Sequence, residues 1–294
     1  MSPGRAARQP DERSAPIDAA EGHFLRGLAR ACGGAIIFAL PLFMTMEMWA
    51  LGHAMSPYRL ALFVALSFPM LVGLSHLVGF EPTVELVQDG VDALVALAAG
   101  FVISIAVLVL LHVLGAGTSL REAAGAVGLL AVAGAIGALL AQSQLHASPD
   151  QEGREQRKRD RRLESSYPSQ LLAMLIGALF LSINVAPTDE VVLLAAKMTP
   201  WHSIGLVLVS LAIVHGFVYS LEFKGHYHRP EGMTLASIAL RFSVVGYALA
   251  LLTSLLVLWL FGRTDETSLA FVVSEVVVLG FPAAVGAAAA RLIL

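Results

Sequence analysis

Apolar residues are gathered in eight runs along the chain, and the short segments between these runs hold most of the charged residues. Each run is about 20 residues or longer, the length that an α-helix needs to cross the hydrocarbon core of a bilayer. A helix also satisfies its own backbone hydrogen bonds in lipid. The pattern therefore predicts eight transmembrane helices, near residues 32–52, 58–79, 88–114, 119–142, 168–187, 201–222, 234–261 and 268–292.

The composition indicates the same class of protein. Of the 294 residues, 57% are hydrophobic and only 14% are charged, and the mean hydropathy is +0.75. Soluble domains carry about 25% charged residues, so we expect an all-α membrane protein. Cys32 is the sole cysteine, which excludes a disulfide bond within the chain.

The basic residues predict the orientation of the chain. With the N-terminus in the cytoplasm, fourteen of the 19 Lys and Arg residues fall on inner segments, six of them within 154–162. Cytoplasmic loops of membrane proteins carry an excess of Lys and Arg. We therefore expect a multi-pass protein of the cell inner membrane with both termini cytoplasmic, that is, N-in and C-in.

Matching short motifs indicate an internal duplication. Ser56-Pro57-Tyr58-Arg59 and Thr199-Pro200-Trp201-His202 each open a run, and Thr118-Ser119-Leu120 and Thr267-Ser268-Leu269 open a later pair. Four spans are an even number, so both copies begin on the same side, and we expect two parallel four-helix repeats related by an axis along the membrane normal. The predicted units are a disordered cytoplasmic tail at 1–23, a first four-helix repeat at 24–142, a charged cytoplasmic linker at 143–167 and a second four-helix repeat at 168–294.

Ionisable residues inside the apolar runs are candidates for function, because placing one in hydrocarbon costs ~2.5 kcal/mol or more. On the inner side, Asp89 and Asp92 share a helical face, and alignment of the two copies puts Arg241 at the position of Asp92. Asp92 and Arg241 either pair between the repeats or extend separately to the inner interface. His76 and His215 belong to the same layer, as hydrogen-bonded packing residues or as proton carriers.

The outer side carries three further candidate residues for transport or gating, Glu47, Glu190 and Glu275. Glu47 is assigned to the end of the first span, Glu190 to the loop after the fifth, and Glu275 to a position two turns into the eighth. Carboxylates that converge on an outer vestibule attract cations. The alternative is that each carboxylate reaches interfacial water on its own.

The basic run of the linker is either a solvated loop or a contact for anionic lipid, to which each basic residue contributes about 1 kcal/mol. It lacks interleaved aromatic residues, so no nucleic-acid partner is expected. The candidate lipid contacts are Arg157, Lys158, Arg159, Arg161 and Arg162.

The fourth and eighth spans are rich in glycine and alanine, which let helices approach closely in lipid. Gly125 and Gly137 lie in the fourth span, and Gly280 and Gly286 lie in the eighth. These spans are expected to be central helices, to join the repeats or to join copies of the chain in a homo-oligomer.

The sequence contains no P-loop, HExxH, GxSxG, CxxC or dinucleotide-binding motif. We therefore expect no enzymatic activity, no cofactor and no metal. The alternating Met44, Met46 and Met48 favour apolar filling over Cu(I) binding, since only Met44 and Met48 share a helical face.

The segment Gly33–Trp49, which includes Pro41 and Glu47, resembles a bacterial family of integral membrane proteins of unknown function. The resemblance extends from about residue 24 over most of the chain and implies a membrane location without implying an activity. A shorter stretch, Val87–Leu94, is similar to the F-S-D-G-V-F-A-I signature of a lysosomal and bacterial potassium-channel family. The aromatic positions of that signature are Val87 and Asp92 in this chain, and the second copy has no counterpart near Ile238.

Two functional hypotheses follow from these patterns. The first is a channel or transporter for a small ion, either a cation or a proton, and it rests on the duplication and the two polar layers. The second is a scaffold or accessory protein that does not transport and that binds partner helices and anionic lipid.

Overall fold

The computed structural model describes residues 15–78, 86–144, 167–223 and 239–293, with side chains described within 27–77, 86–141, 167–217 and 242–291. These residues form helices and the turns between them. The helices are α1 Ala15–Phe43, α2 Met46–Ala54, α3 Pro57–Val78, α4 Leu86–Leu110, α5 Leu120–Gln144, α6 Tyr167–Val185, α7 Asp189–Lys197, α8 Pro200–Phe223, α9 Val245–Leu260, which follows a π-helical turn at Ala239–Val244, and α10 Leu269–Ile293.

Seven of the described helices are long and apolar enough to cross a membrane, and the pair α1 and α2 makes an eighth candidate when counted as one span. The expected class, an all-helical membrane protein with about eight spans, is confirmed. The bounds of six of the other spans agree closely with the apolar runs. The seventh run, 234–261, begins outside the described residues and continues through the π-helical turn into α9. Helix α1 begins at Ala15, inside the range predicted as a tail. The basic run at 154–162 lies outside the described residues.

The first predicted span, 32–52, is wrong as a single helix, because the chain bends by 87° between α1 and α2. Pro41 lies in the last turn of α1 and has no N–H to donate to the Ile37 carbonyl, which weakens the end of this helix. The Thr45 hydroxyl donates to the Pro41 carbonyl over 2.6 Å, and the Trp49 indole donates to the Phe43 carbonyl over 3.2 Å. Side chains therefore satisfy carbonyls at the end of α1.

Both halves of the chain share one packing pattern. In the first half, α5 packs against α1, α2, α3 and α4. In the second half, α10 packs against α6, α7, α8 and α9. The last helix of each half is therefore its central helix. The symmetry axis and the parallel orientation remain predictions.

A glycine crossing occurs at the same place in both halves. A Cβ on Gly34 of α1 would overlap the Gly137 carbonyl and the Ala141 side chain of α5. A Cβ on Gly177 of α6 would likewise overlap the Gly286 carbonyl and the Ala290 side chain of α10. The interval from Gly34 to Gly177 equals that from Pro57 to Pro200. These glycines pack within the chain, and a homo-oligomer through the same helices remains a prediction.

The helices of the two halves meet through largely apolar surfaces. Helix α3 packs against α6 and α9, and α5 contacts α6. Phe63 of α3 meets Phe261 edge to face, with ring centroids 5.8 Å apart. A cavity of about 10 Å³ between α3, α5 and α6 has room for roughly one water molecule, and apart from Ser67 its lining is apolar.

One ion pair identifies which helix ends lie together. Arg59, at the start of α3, binds Asp265, in the turn between α9 and α10, through two hydrogen bonds of 2.6 and 2.8 Å. Exposed aromatic residues, Tyr58 and Trp201, occupy the matching positions at the starts of α3 and α8, as is typical of a membrane interface. We call this the outer end and the opposite one the inner end, following the predicted orientation.

Candidate functional site

Four polar residues meet at the inner end, where α3 ends and α4 begins. We call Ser75, His76, Asp89 and Asp92 the inner cluster. His76 Nδ1 lies 2.9 Å from Asp89 Oδ2, and Asp92 lies one turn further along α4, where it acts on Asp89 electrostatically. The buried Ser75 hydroxyl makes no hydrogen bond to a described residue. The sequence predicted three of these residues as candidates, and the structure brings those three together.

The burial of these side chains is unequal in an informative way. The Asp89 side chain is 2% exposed, whereas the side chain of its partner His76 is 58% exposed. Asp89 lies in the first turn of α4, where the positive end of the helix dipole favours a carboxylate. The imidazole therefore connects a buried carboxylate to the surroundings of the bundle.

The chemistry of the inner cluster suits proton or cation binding. Histidine gains or loses its proton in the physiological pH range, and each of its ring nitrogens donates or accepts according to the tautomer. Two carboxylates one turn apart provide oxygen ligands for a hard cation. The described residues include no group of three His, Cys, Asp or Glu side chains placed to hold a metal ion.

The other two inner candidates lie on the second half. His215 of α8 has its Nδ1 3.1 Å from the Ser243 hydroxyl, in the π-helical turn before α9. Both inner histidines thus bond to the following helix of their own half. Arg241 lies in the same π-helical turn, but its side chain falls outside the described ones, so its pairing with Asp92 remains a prediction.

Glu47 and Glu190 occupy the same position in the two halves. Each is the second residue of a short helix, Glu47 in α2 and Glu190 in α7. The expectation that Glu190 lies in a loop is therefore wrong. Glu47 is half-buried and Glu190 is exposed, and each carboxylate lies at a helix start, where the dipole favours it.

The sequence contained a signal for these short helices that the apolar pattern did not reveal. The pattern Thr-x-Glu, seven residues, Met, Ser or Thr, and Pro occurs at 45–57 and again at 188–200. Its Thr residues, Thr45 and Thr188, are the N-caps of α2 and α7, and its Met residues, Met55 and Met198, are the C-caps.

The third outer candidate, Glu275, is buried in α10 with 1% exposure, and its Oε2 has no hydrogen-bond partner among the described residues. Arg263 acts on it electrostatically. Arg263 also donates to Asp189 Oδ1 over 3.1 Å and to the Pro187 carbonyl. We call Arg263, Asp189, Pro187 and Glu275 the outer cluster.

Two arginines at the outer end, Arg59 and Arg263, have roles that the sequence pattern did not predict. Arg59 binds Asp265 and lies over the Trp259 ring, 5.6 Å from its centroid. The hydrogen bonds from Arg59 lower the pKa of the Asp265 carboxyl below its usual range. Arg263 joins the α9–α10 turn to the break between α6 and α7. Both contacts link residues far apart in the sequence, so no local pattern announces them.

The helices and their two polar clusters define a polytopic α-helical membrane protein. The chain belongs to the family described as "Putative integral membrane protein (DUF2391)", whose family model matches residues 27–294. This match confirms the resemblance drawn from Gly33–Trp49 and carries no activity with it. Neither the curated proteins nor the solved structures contain a match to the chain.

Proposed function

We propose that the protein moves a small cation across the membrane, as a transporter or channel, and that a proton is the cation its inner cluster suits best. The observation that carries this proposal is the hydrogen bond between buried Asp89 and exposed His76. A carboxylate buried in a membrane helix is costly, and such residues commonly mark ion pathways.

The arrangement of the pair supports a proton more than a metal cation. An imidazole that is half outside the bundle can take up a proton and pass it to the carboxylate that it contacts. Asp92, one turn further along α4, offers a second acceptor deeper in the same span. At 1.5 Å per residue, Asp92 lies about 4.5 Å beyond Asp89 along the helix axis.

A second buried carboxylate lies at the other end of the bundle. Glu275 is six residues after the start of α10, about 9 Å along the helix from the outer end. Asp89 and Glu275 therefore lie near opposite ends of the bundle, as two proton-binding sites on one transport path would. The residues between these two carboxylates, at the contact of the halves, are largely apolar. A proton path between them therefore requires a change in the packing of the helices.

A liposome assay tests the proposal. The purified protein is placed in liposomes that contain a pH-sensitive dye, and uptake is followed after imposing gradients of H⁺, Na⁺ or K⁺. We expect faster proton movement than in protein-free liposomes. The rate should fall about tenfold or more for Asp89→Asn, which is equivalent to a barrier ~1.4 kcal/mol higher. His76→Gln and Asp92→Asn should also slow it.

Glu266→Gln is the matched control, because it removes an exposed carboxylate in the α9–α10 turn at the outer end and should leave the rate unchanged. Rates equal to those of empty liposomes for all three ions would contradict the proposal. So would full activity in both Asp89→Asn and Asp92→Asn. The first of these results would favour the scaffold hypothesis instead. That the chain is not an enzyme remains part of the proposal.

A further inference from the structure

Glu275 is the most deeply buried carboxylate among the described residues of the second half. Its side chain is 1% exposed, and one of its two oxygens accepts no hydrogen bond from a described residue. Burying a carboxylate without full hydrogen bonding penalises the charged form strongly. The structure therefore offers a place for a proton on the unpartnered oxygen.

The duplication indicates that this carboxyl is not required for packing. The position that matches Glu275 in the first half is Ala126, at the interval that separates Thr118 from Thr267. Ala126 is fully buried and lies against the backbone of Gly52 in α2. The first half therefore folds with a small apolar residue at this position. The carboxyl group of Glu275 is an addition to the same packing pattern.

The charged groups around Glu275 come from few elements. The α9–α10 turn supplies Arg263, which acts on Glu275. Helix α7 carries Asp189 and Glu190 in its first turn and Lys197 in its last turn. The described side chains of α6 and α9 contain no charged group. Those of α8 contain His202 at the outer end, bonded to Thr199, and His215 towards the inner end.

Arg263 has a competing partner. It donates to Asp189 and to the Pro187 carbonyl, and so holds the break between α6 and α7. While it makes those contacts, its charge is shared with an exposed carboxylate outside the helix that holds Glu275. Ionisation of Glu275 would draw the guanidinium inwards, away from Asp189.

We propose that Glu275 is a proton-binding site, protonated while Arg263 is bound to Asp189 and Pro187, and ionised when Arg263 turns towards it. Release of the proton then loosens the corner between α6 and α7. This inference extends the proposed function to the outer end, but its test is spectroscopic and does not depend on ion flux.

Infrared difference spectra of the protein in lipid nanodiscs test the proposal from about pH 5 to about pH 9, the range around neutrality in which ordinary carboxyl groups are ionised. We expect a protonated-carboxyl band in the unmodified protein that Glu275→Gln removes. Glu275→Ala, which introduces the residue found at the matching position Ala126, should also remove this band. It replaces Glu275→Gln in the test if that variant does not fold. Glu190→Gln is the control and should keep the band.

Asp189→Asn tests whether Arg263 exchanges between Asp189 and Glu275. Without its exposed partner, Arg263 should favour Glu275, and the band should disappear at a lower pH than in the unmodified protein. Identical spectra for the unmodified protein, Glu275→Gln and Glu275→Ala at every pH would overturn the proton site. An unchanged titration in Asp189→Asn would overturn the role of Arg263. Neither infrared measurement depends on ion flux, so both can be interpreted even if the liposome assay shows no transport.

Discussion

The two halves of the molecule share a helix order but hold their buried carboxylates at opposite ends, Asp89 at the inner end and Glu275 at the outer end. In the first half, His76, Asp89 and Asp92 meet at the inner end. In the second half, the cluster of Arg263, Asp189 and Glu275 lies at the outer end. The residue that matches Asp89 is Ile238, and the residue that matches Glu275 is Ala126. Ile238 lies outside the described residues, whereas the buried Ala126 shows that the fold accepts an apolar residue at the position that matches Glu275.

The central helices of the halves also differ. In the span of α5, 83% of the residues are buried within the protein, against 50% in the span of α10. Helix α8 is the most exposed span, with 11% buried, whereas its counterpart α3 lies between the halves. The central helix of the second half is thus less covered than that of the first, and a change of packing around it meets fewer neighbours.

The largest effect is expected at the paired glycine crossings. Gly34→Leu and Gly177→Leu each force a side chain into a neighbouring backbone carbonyl. We expect each to cost about 3 kcal/mol or more, because overpacked cores cannot relax freely. Thermal unfolding in mild detergent, followed by size-exclusion profiles, measures the loss. Gly205→Leu is the control, since nothing lies near its Cβ. Tolerance of leucine in one half alone would break the equivalence of the crossings.

An intermediate effect is expected from moving the acid into the other half. Ala126→Glu places a larger, charged side chain against the Gly52 backbone. We expect a cost of about 2–3 kcal/mol from overpacking and desolvation. Glu275→Ala should change the unfolding free energy by less than about 1 kcal/mol, because it removes a buried group that lacks full hydrogen bonding. Equal costs for the two changes would show that the carboxyl is structural.

The smallest effect is expected at the ion pair that joins the halves. Arg59 lowers the pKa of the Asp265 carboxyl, first through hydrogen bonds. A depressed pKa gives stability that is present above the unfolded value, near pH 4, and that is lost as pH falls through the folded value. Asp265→Asn should therefore lower the melting temperature by a few degrees at most at neutral pH.

Acid titration checks this prediction. The difference between the unmodified protein and Asp265→Asn should shrink as pH falls below about 4, the ordinary pKa of aspartate, and vanish when both lack the charge. Glu266→Gln, a change at the neighbouring exposed residue, is the control and should leave the melting temperature unchanged. A difference in melting temperature that persists at the lowest pH would mean that Asp265→Asn acts through packing and that the ion pair does not contribute.

Local composition determined much of this fold. The bounds of α3 to α6, and of α8 and α10, follow the apolar runs closely, because the length of a span depends on how many successive residues lipid accepts. The break at Thr45 was invisible to that criterion, since the run from Phe43 to Trp49 stays largely apolar across it. The recurring pattern with Thr45, Glu47 and Met55 held the missing information.

What the sequence determined by itself is therefore the membrane class, the approximate spans, the likeness of the two halves and the list of ionisable residues within the spans. Only the tertiary structure decided which of these residues meet. Asp89 became a buried partner of His76, and Arg263 became the link between Asp189 and Glu275. The physical reason is how far apart along the chain the interacting residues lie. Hydropathy depends on neighbours along the chain, whereas burial and hydrogen bonding of a charge depend on the helices that pack around it.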